Sequence, residues 1–198
     1  WKCRGAVMRS LGLMFESSAA WVLLAVVSPL LGLLVLLLFL ESSRPIFRQI
    51  RVGRSEIPFV VFKLRTMRLD VADLPTHAVS VYKITPLGRF IRKAKLDELP
   101  QLINIGRGEM SFVGYRPCLP TQSVLVEARR DLGLFEYNPG LTGIGQVLGV
   151  DMSTPETLAR IDALYYRSGS KSLYFRVLAA TVMPHRFKNL FLKSFAKK

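Results

Sequence analysis

Two adjacent carboxylates, Asp97 and Glu98, stand in a chain crowded with cations: 28 Lys and Arg against 14 Asp and Glu, a formal charge of +14 over 198 residues. Acids set among basic side chains suit phosphoryl chemistry. One carboxylate can hold Mg²⁺, a hard cation that keeps several waters and bridges diphosphate oxygens. The other can attack phosphorus and form an aspartyl-phosphate. Such a reaction needs little beyond positioning and charge neutralisation. Lys63, Arg65, Arg92 and Arg116 are the candidate phosphate clamps. An isolated Asp-Glu has an equally ordinary explanation, compensation of a helix dipole by first-turn acids. The pair alone does not separate the two.

The elements around the pair narrow its setting. Proline is tolerated only in the first turn of a helix, so Pro100 predicts that a helix covering Leu102 and Ile103 begins near Leu96 or Asp97. Both carboxylates then sit at a helix N-terminus, where free N–H groups can hold a phosphate. Upstream, Thr85-Pro86 predicts another helix start, an N-cap followed by proline. Leu87, Phe90, Ile91 and Ala94 form its apolar stripe, with Arg89, Arg92 and Lys93 along the polar flank. A basic amphipathic helix of this kind can lie on a membrane surface or pack on a core. Before it, residues 47–52, a turn at 53–56 and residues 58–64 read as a hairpin. A period of two puts Lys63 and Arg65 on one face and Phe62, Leu64 and Thr66 on the other. Those cations can equally be the protective charges of an edge strand.

Residues 68–83 contain Pro75 and lack periodicity, which predicts a loop. Ser153-Thr154-Pro155-Glu156 opens a further helix whose buried side would be Leu158, Ile161, Leu164 and Tyr165. From Leu173 onward, aromatics and cations alternate as far as Lys198, interrupted at Pro184. That pattern suits an anionic interface.

Residues 19–40 carry no charge, and at a rise of roughly 1.5 Å per residue they can cross a bilayer core of about 30 Å. The run is interrupted at Ser28-Pro29, where a break is expected because proline lacks a backbone donor. Basic residues flank both ends, Lys2, Arg4 and Arg9 before and Arg44, Arg48, Arg51 and Arg54 after, and positive flanks mark the cytoplasmic side. Both flanks stay inside if the segment enters one leaflet, turns at Ser28-Pro29 and returns. The Ser28 hydroxyl can then satisfy a backbone carbonyl freed by the break. A kinked full span is the alternative.

Composition trims the remaining possibilities. Cys3 and Cys118 suggest neither a disulfide framework nor a zinc site, and a reducing compartment fits them. His77 and His185 suggest no metal cluster. A pI near 10.3 is also the footprint of a nucleic-acid-binding protein, but the apolar N-terminal run and a mean hydropathy of +0.29 speak against that partner. Gly143-Ile144-Gly145 with Gly149 has the wrong spacing for a dinucleotide fingerprint. A non-catalytic membrane scaffold and a hydrolase that passes its aspartyl-phosphate to water are the other rivals.

Several ordered motifs together carry a resemblance. They are Phe47-Arg48-Gln49 with Arg51-Val52-Gly53, Phe62-Lys63-Leu64-Arg65-Thr66-Met67, Leu87-Gly88-Arg89-Phe90-Ile91-Arg92, and Leu96-Asp97-Glu98-Leu99-Pro100-Gln101-Leu102 with Asn104. Gly108-Glu109-Met110-Ser111-Phe112-Val113-Gly114-Tyr115-Arg116-Pro117 and Pro139-Gly140-Leu141-Thr142-Gly143 complete the set. From about residue 28 to about 147 the chain resembles the bacterial sugar transferases, the monotopic polyprenyl-phosphate phosphoglycosyl transferases. The resemblance implies a re-entrant membrane helix broken at Ser28-Pro29 and a catalytic body on the cytoplasmic face of the bacterial inner membrane. It implies a ping-pong reaction in which Asp97 takes a phosphosugar from a UDP-sugar, expels UMP and passes it to polyprenyl (undecaprenyl) phosphate. Glu98, with Asp97, would hold Mg²⁺, and Lys63, Arg92 and Arg116 match positions that contact phosphate or support the site. Three departures stand out: Tyr115 where the family usually has proline, Lys95 where Ser or Thr is common, and Arg44-Pro45 in place of Gly-Pro. Lys95 removes a side-chain cap from the helix that carries the acids.

The expected fold is α/β and mainly helical. An N-terminal re-entrant membrane helix over 1–43 precedes one catalytic domain over 44–198, with a small β-hairpin and amphipathic interfacial helices. Its expected partners are a UDP-sugar, polyprenyl phosphate and anionic membrane lipids, without nucleic acid, and a homo-oligomer is compatible with the chain.

Overall fold

The computed structural model describes residues 2–41, 43–67 and 84–182, with side chains from residue 12 onward. The architecture is mainly helical α/β with two small two-stranded sheets. The chain divides into two compact units, Trp1–Ile50 with Phe59–Glu109, and Arg51–Pro58 with Met110–Lys198. Residues 68–83, expected to form a loop, lie outside the described residues, as do His77, His185 and the tail beyond residue 182.

The first unit is built on α1 (Lys2–Glu41), which runs through Pro29 without interruption. Proline gives no N–H to the carbonyl four residues back, here that of Ala25. The Ser28 hydroxyl donates to this carbonyl at 2.8 Å. The expectation that Ser28 covers the freed carbonyl therefore holds, and helical structure continues where a break was expected. The stretch Gly12–Glu41 is long and apolar enough to cross a membrane, and few of its residues are buried.

Helix α1 meets the rest of its unit on both sides of Pro29. After the proline, Leu31, Leu34, Val35 and Leu38 pack with Ile46, Leu64, Leu87, Ile91 and Leu96. Before it, the Ser17 hydroxyl donates to the Ile105 carbonyl and the Trp21 indole N–H to the Gly106 carbonyl, each at 3.1 Å. A Cβ at Gly106 would stand 2.6 Å from the Trp21 ring, so glycine lets these segments close.

Strands β1 (Ile46–Val52) and β2 (Pro58–Leu64) form the expected hairpin. Bonds from Gly53 N–H to Ile57 O (3.0 Å) and from Arg65 N–H to Pro45 O (2.7 Å) fix an antiparallel register. In this register Ile46 faces Leu64, Arg48 faces Phe62 and Ile50 faces Val60. A Met67–Ile84 bridge then leads into α2 (Pro86–Lys93). Its start is as read from sequence: Pro86 opens the helix and Thr85 Oγ1 accepts the Gly88 N–H at 2.9 Å. Of the expected apolar stripe, Leu87 and Ile91 turn inward, whereas Phe90 is 63 % exposed and Ala94 is exposed too.

In the second unit, β3 (Ser111–Val113) pairs in parallel with β4 (Gly140–Thr142). Gly140 is required there, because a Cβ would come within 2.0 Å of the Gly114 nitrogen, a backbone atom with no room to yield. Helices α4 (Ser123–Asp131), α5 (Ile144–Leu148), α6 (Pro155–Ser168) and α7 (Lys171–Val182) complete the unit. Its core gathers Tyr115, Leu125, Leu134, Phe135, Leu158 and Ala159. Helix α6 begins at Pro155 as expected, but its buried side differs from the sequence reading. Leu164 is 50 % exposed, while Asp162 is 2 % exposed. The cause is a fully buried arginine, Arg129, which draws Asp162 inward at 2.9 Å.

Candidate active site

The acid pair lies in a 3₁₀ segment, Leu96–Gln101, that leads directly into α3 (Leu102–Gly106). The expected helix start near Leu96 is observed, with the tighter 3₁₀ geometry accommodating Pro100. Lys95 precedes it in the left-handed conformation at φ 56° and supplies no side-chain cap, in keeping with the loss of a Ser or Thr there. Lys95 N–H bonds Arg92 O at 3.0 Å, so one residue both ends α2 and turns the chain into the acid-bearing segment.

Strand β2 presents Lys63 to this segment, its ammonium 3.0 Å from Glu98 Oε1, with both side chains less than one-fifth exposed. Helix α2 supplies Arg92, whose Nε–H donates to Thr66 Oγ1 at 2.7 Å. Burial raises the pKa of Asp97 above the ordinary aspartate value, and the neighbouring charge of Glu98 raises it further. Lys63 and Arg92 act in the opposite direction. Lys63, Arg92, Asp97 and Glu98 are therefore electrostatically linked within one unit.

Arg65 is directed elsewhere. Its Nε–H donates to the Arg44 carbonyl at 3.0 Å and its guanidinium lies 5.2 Å from the Phe47 ring centre. Arg116 belongs to the second unit, where its backbone is firmly held. Arg129 Nη1 donates to the Arg116 carbonyl at 2.7 Å, Arg51 Nη1 to the Pro117 carbonyl at 3.0 Å, and Val52 N–H to the Cys118 carbonyl at 2.9 Å. Three successive carbonyls thus have donors. Beside them, Tyr115 N–H donates to the Tyr166 hydroxyl at 3.2 Å, a bond that proline at this position cannot make. Burial pushes Asp162 up to about 6, while Arg129 holds it down.

Two further residues of the acid-bearing motif, Asn104 and Gln101, are drawn into its packing. Asn104 is fully buried in α3. Its Nδ2 donates to the Val60 carbonyl at 2.7 Å and to Glu109 at 2.6 Å, and its Oδ1 accepts the Phe62 N–H at 3.3 Å. It clasps β2 to α3 and so sets Lys63 against Glu98. In the sequence it is a lone amide in an otherwise apolar Leu102-Ile103-Asn104-Ile105 run. Gln101, on the acid-bearing segment, is 2 % exposed and its Nε2 has no acceptor among the described residues.

No group of three or more His, Cys, Asp or Glu suited to a metal occurs among the described residues. Two adjacent carboxylates, one of them made harder to ionise by the other, match instead a cation that takes one or two carboxylates and completes its shell with water and substrate phosphate. Asp97 and Glu98 fit Mg²⁺ on those terms.

The family described as bacterial sugar transferase matches residues 7–187. Among similar proteins, a UDP-glucose:undecaprenyl-phosphate glucose-1-phosphate transferase of Caulobacter vibrioides is 42 % identical over 67 % of this chain and 51 % of its own length. An undecaprenyl-phosphate glucose phosphotransferase of Komagataeibacter xylinus is 36 % identical over 85 % of this chain and 34 % of its own length. The sugar transferase EpsL of Bacillus subtilis is 33 % identical over 85 % of this chain and 84 % of its own. The chain therefore spans about half or less of the first two relatives and most of the third. With nearly the whole chain inside the match and the acid pair inside the matched region, the chain belongs to the bacterial sugar transferase family.

Proposed function

We propose that this chain transfers a sugar 1-phosphate from a UDP-sugar to undecaprenyl phosphate, with Asp97 as the nucleophile. The observation that carries the reading is the half-buried Asp97 flanked by Glu98, Lys63 and Arg92. An Asp97 carboxylate oxygen attacks the β-phosphorus of the nucleotide sugar, the β-phosphorus to bridging-oxygen bond breaks, and UMP departs with that oxygen. A phosphate oxygen of undecaprenyl phosphate then attacks the aspartyl-bound phosphorus and releases the Asp97 carboxylate. Lys63 and Arg92 offset negative charge on the phosphates, and Arg116 keeps the phosphate role that the family resemblance implies for it; Arg65, turned to Arg44 and Phe47, is left out of the clamp. Mg²⁺, held by Glu98 and Asp97, would supply charge neutralisation of the diphosphate. The relatives named for undecaprenyl-phosphate glucose transfer support the substrate class.

A membrane position is supported by the apolar α1 and the lipid acceptor, and the cytoplasmic face by the basic residues that flank the apolar run. The re-entrant course is supported by contacts of α1 with one unit both at Ser17–Trp21 and at Leu34–Leu38. A straight span would separate those stretches by roughly the thickness of a bilayer core. Cysteines placed one at a time at Ser10 and Pro45, in a Cys3→Ser background whose remaining thiol, Cys118, is buried, should label from the same side in sealed vesicles; labelling from opposite sides refutes the re-entrant course.

Because Asp97 must be ionised to attack, the acid limb of UMP release should lie above that of a free aspartate. Lys63→Met removes a charge that favours ionisation, so the limb should move to higher pH. Glu98→Gln removes one that opposes it, so the limb of any residual activity should move lower. Unmoved limbs in both variants contradict the role of Asp97. The reaction itself is tested with a panel of UDP-sugars, Mg²⁺ and undecaprenyl phosphate. Lipid-dependent turnover with release of UMP is expected. Sustained release that ignores the lipid means hydrolysis, and none with any sugar rejects the reaction.

A further inference from the structure

The hairpin has two faces with different duties. Lys63 points from one toward Glu98. The other carries Ile46 and Leu64, which pack under α1, and continues through the cross-strand pairs Arg48–Phe62 and Ile50–Val60. That continuation is open: Ile50 is 56 % and Val60 38 % exposed. Arg48 and Arg107, both exposed, bring their guanidinium carbons to 5.8 and 5.5 Å from the centre of the same Phe62 ring. Neither has an acidic partner among the described residues.

Two cations on one ring repel each other, and attraction to the aromatic face offsets only part of that cost. An anion between or over them removes it. The position indicates which anion. Arg107 directly follows Gly106, whose carbonyl accepts the indole N–H of Trp21, and Trp21 is itself 47 % exposed on the apolar helix. Tryptophan on such a helix marks the headgroup level of a bilayer, and Ile50 and Val60 offer apolar surface beside the cations. We propose that Arg48 and Arg107, spaced by Phe62 next to Trp21, form a binding site for the phosphate of an anionic phospholipid headgroup. The site lies on the hairpin face opposite Lys63, which sets it apart from the acceptor phosphate that must reach Asp97. It rests on the membrane-bound reading above, not on the identity of the reaction.

The chain has two tryptophans, Trp1 and Trp21, so the full-length Trp1→Phe protein reports from Trp21 alone. It is reconstituted in phosphatidylcholine vesicles holding equal mole fractions of phosphatidylglycerol and phosphatidylcholine, with one or the other brominated as quencher. Quenching should show about fivefold local enrichment of phosphatidylglycerol. The preference should vanish in Arg48→Gln/Arg107→Gln, weaken in Phe62→Leu, and survive in Arg48→Lys/Arg107→Lys. It should also survive inorganic phosphate added at constant ionic strength, which leaves screening unchanged; loss there would show a soluble-anion site and overturn the lipid assignment. Equal quenching by both lipids, or an undiminished preference in the double glutamine variant, overturns the proposal. No quenching by either lipid would instead count against membrane insertion, and because no nucleotide sugar is present, the outcome is independent of the proposed transfer.

Discussion

Asp97→Asn should abolish turnover, with UMP release falling at least about a thousandfold, while the protein still inserts into vesicles and unfolds at nearly the same temperature. The substitution keeps the size of the side chain but removes the carboxylate that must attack phosphorus. It also relieves a conflict, because that charge is half-buried beside Glu98, so stability should hold or rise slightly. A scaffold whose acids only compensate a helix dipole would show the reverse pattern, with function intact and a small loss of stability. Comparison of UMP release with thermal unfolding of the same preparation separates the two.

A second large effect is expected far from any substrate atom. Asp162→Asn leaves the Arg129 guanidinium, which has no exposed surface, without a counter-charge. Breaking a buried pair in this way costs roughly 3–5 kcal/mol, or a fall in unfolding temperature on the order of 10 °C for a chain of this size. Through the phosphate role proposed for Arg116 the loss should extend to activity, because Arg129 also donates to the Arg116 carbonyl and lies 4.7 Å from the Tyr115 ring centre. Replacing both partners, Asp162→Leu with Arg129→Met, removes the stranded charge and should restore most of the stability. UMP release should remain low in that double variant, since the Arg116 backbone has lost its donor. Recovery of both properties together would mean that the pair serves the fold alone.

Much of the acid-bearing segment was legible locally. Pro100 restricts where a helix can begin, Thr85-Pro86 marks a cap, and alternation in 58–64 separates Lys63 from Leu64; each is a short-range steric or hydrogen-bonding rule and each is seen in the structure. Ser28 covering the Ala25 carbonyl belongs to the same class. The features that escaped depend on partners distant in sequence. Asn104 meets β2 across 42 and 44 positions. Asp162 is drawn inward by Arg129 from 33 positions away, which turns α6 so that a leucine faces out and an acid faces in. No periodicity within α6 encodes that, because apolar patterning assumes that charges stay in water. Arg65 shows the limit of face assignment: strand geometry put it beside Lys63, yet β2 ends at Leu64 and its guanidinium turns to Arg44 and Phe47.

The proposed nucleophile is tested most directly by trapping what it carries. The full chain is incubated with a UDP-sugar it uses and Mg²⁺ but no lipid acceptor, quenched in acid and digested for peptide mass spectrometry. The peptide containing Asp97 should gain the mass of one sugar phosphate, stoichiometric with the UMP released, and should lose it when undecaprenyl phosphate is added before the quench. A phosphosugar found on another residue, or turnover that persists in Asp97→Asn, would contradict the assignment.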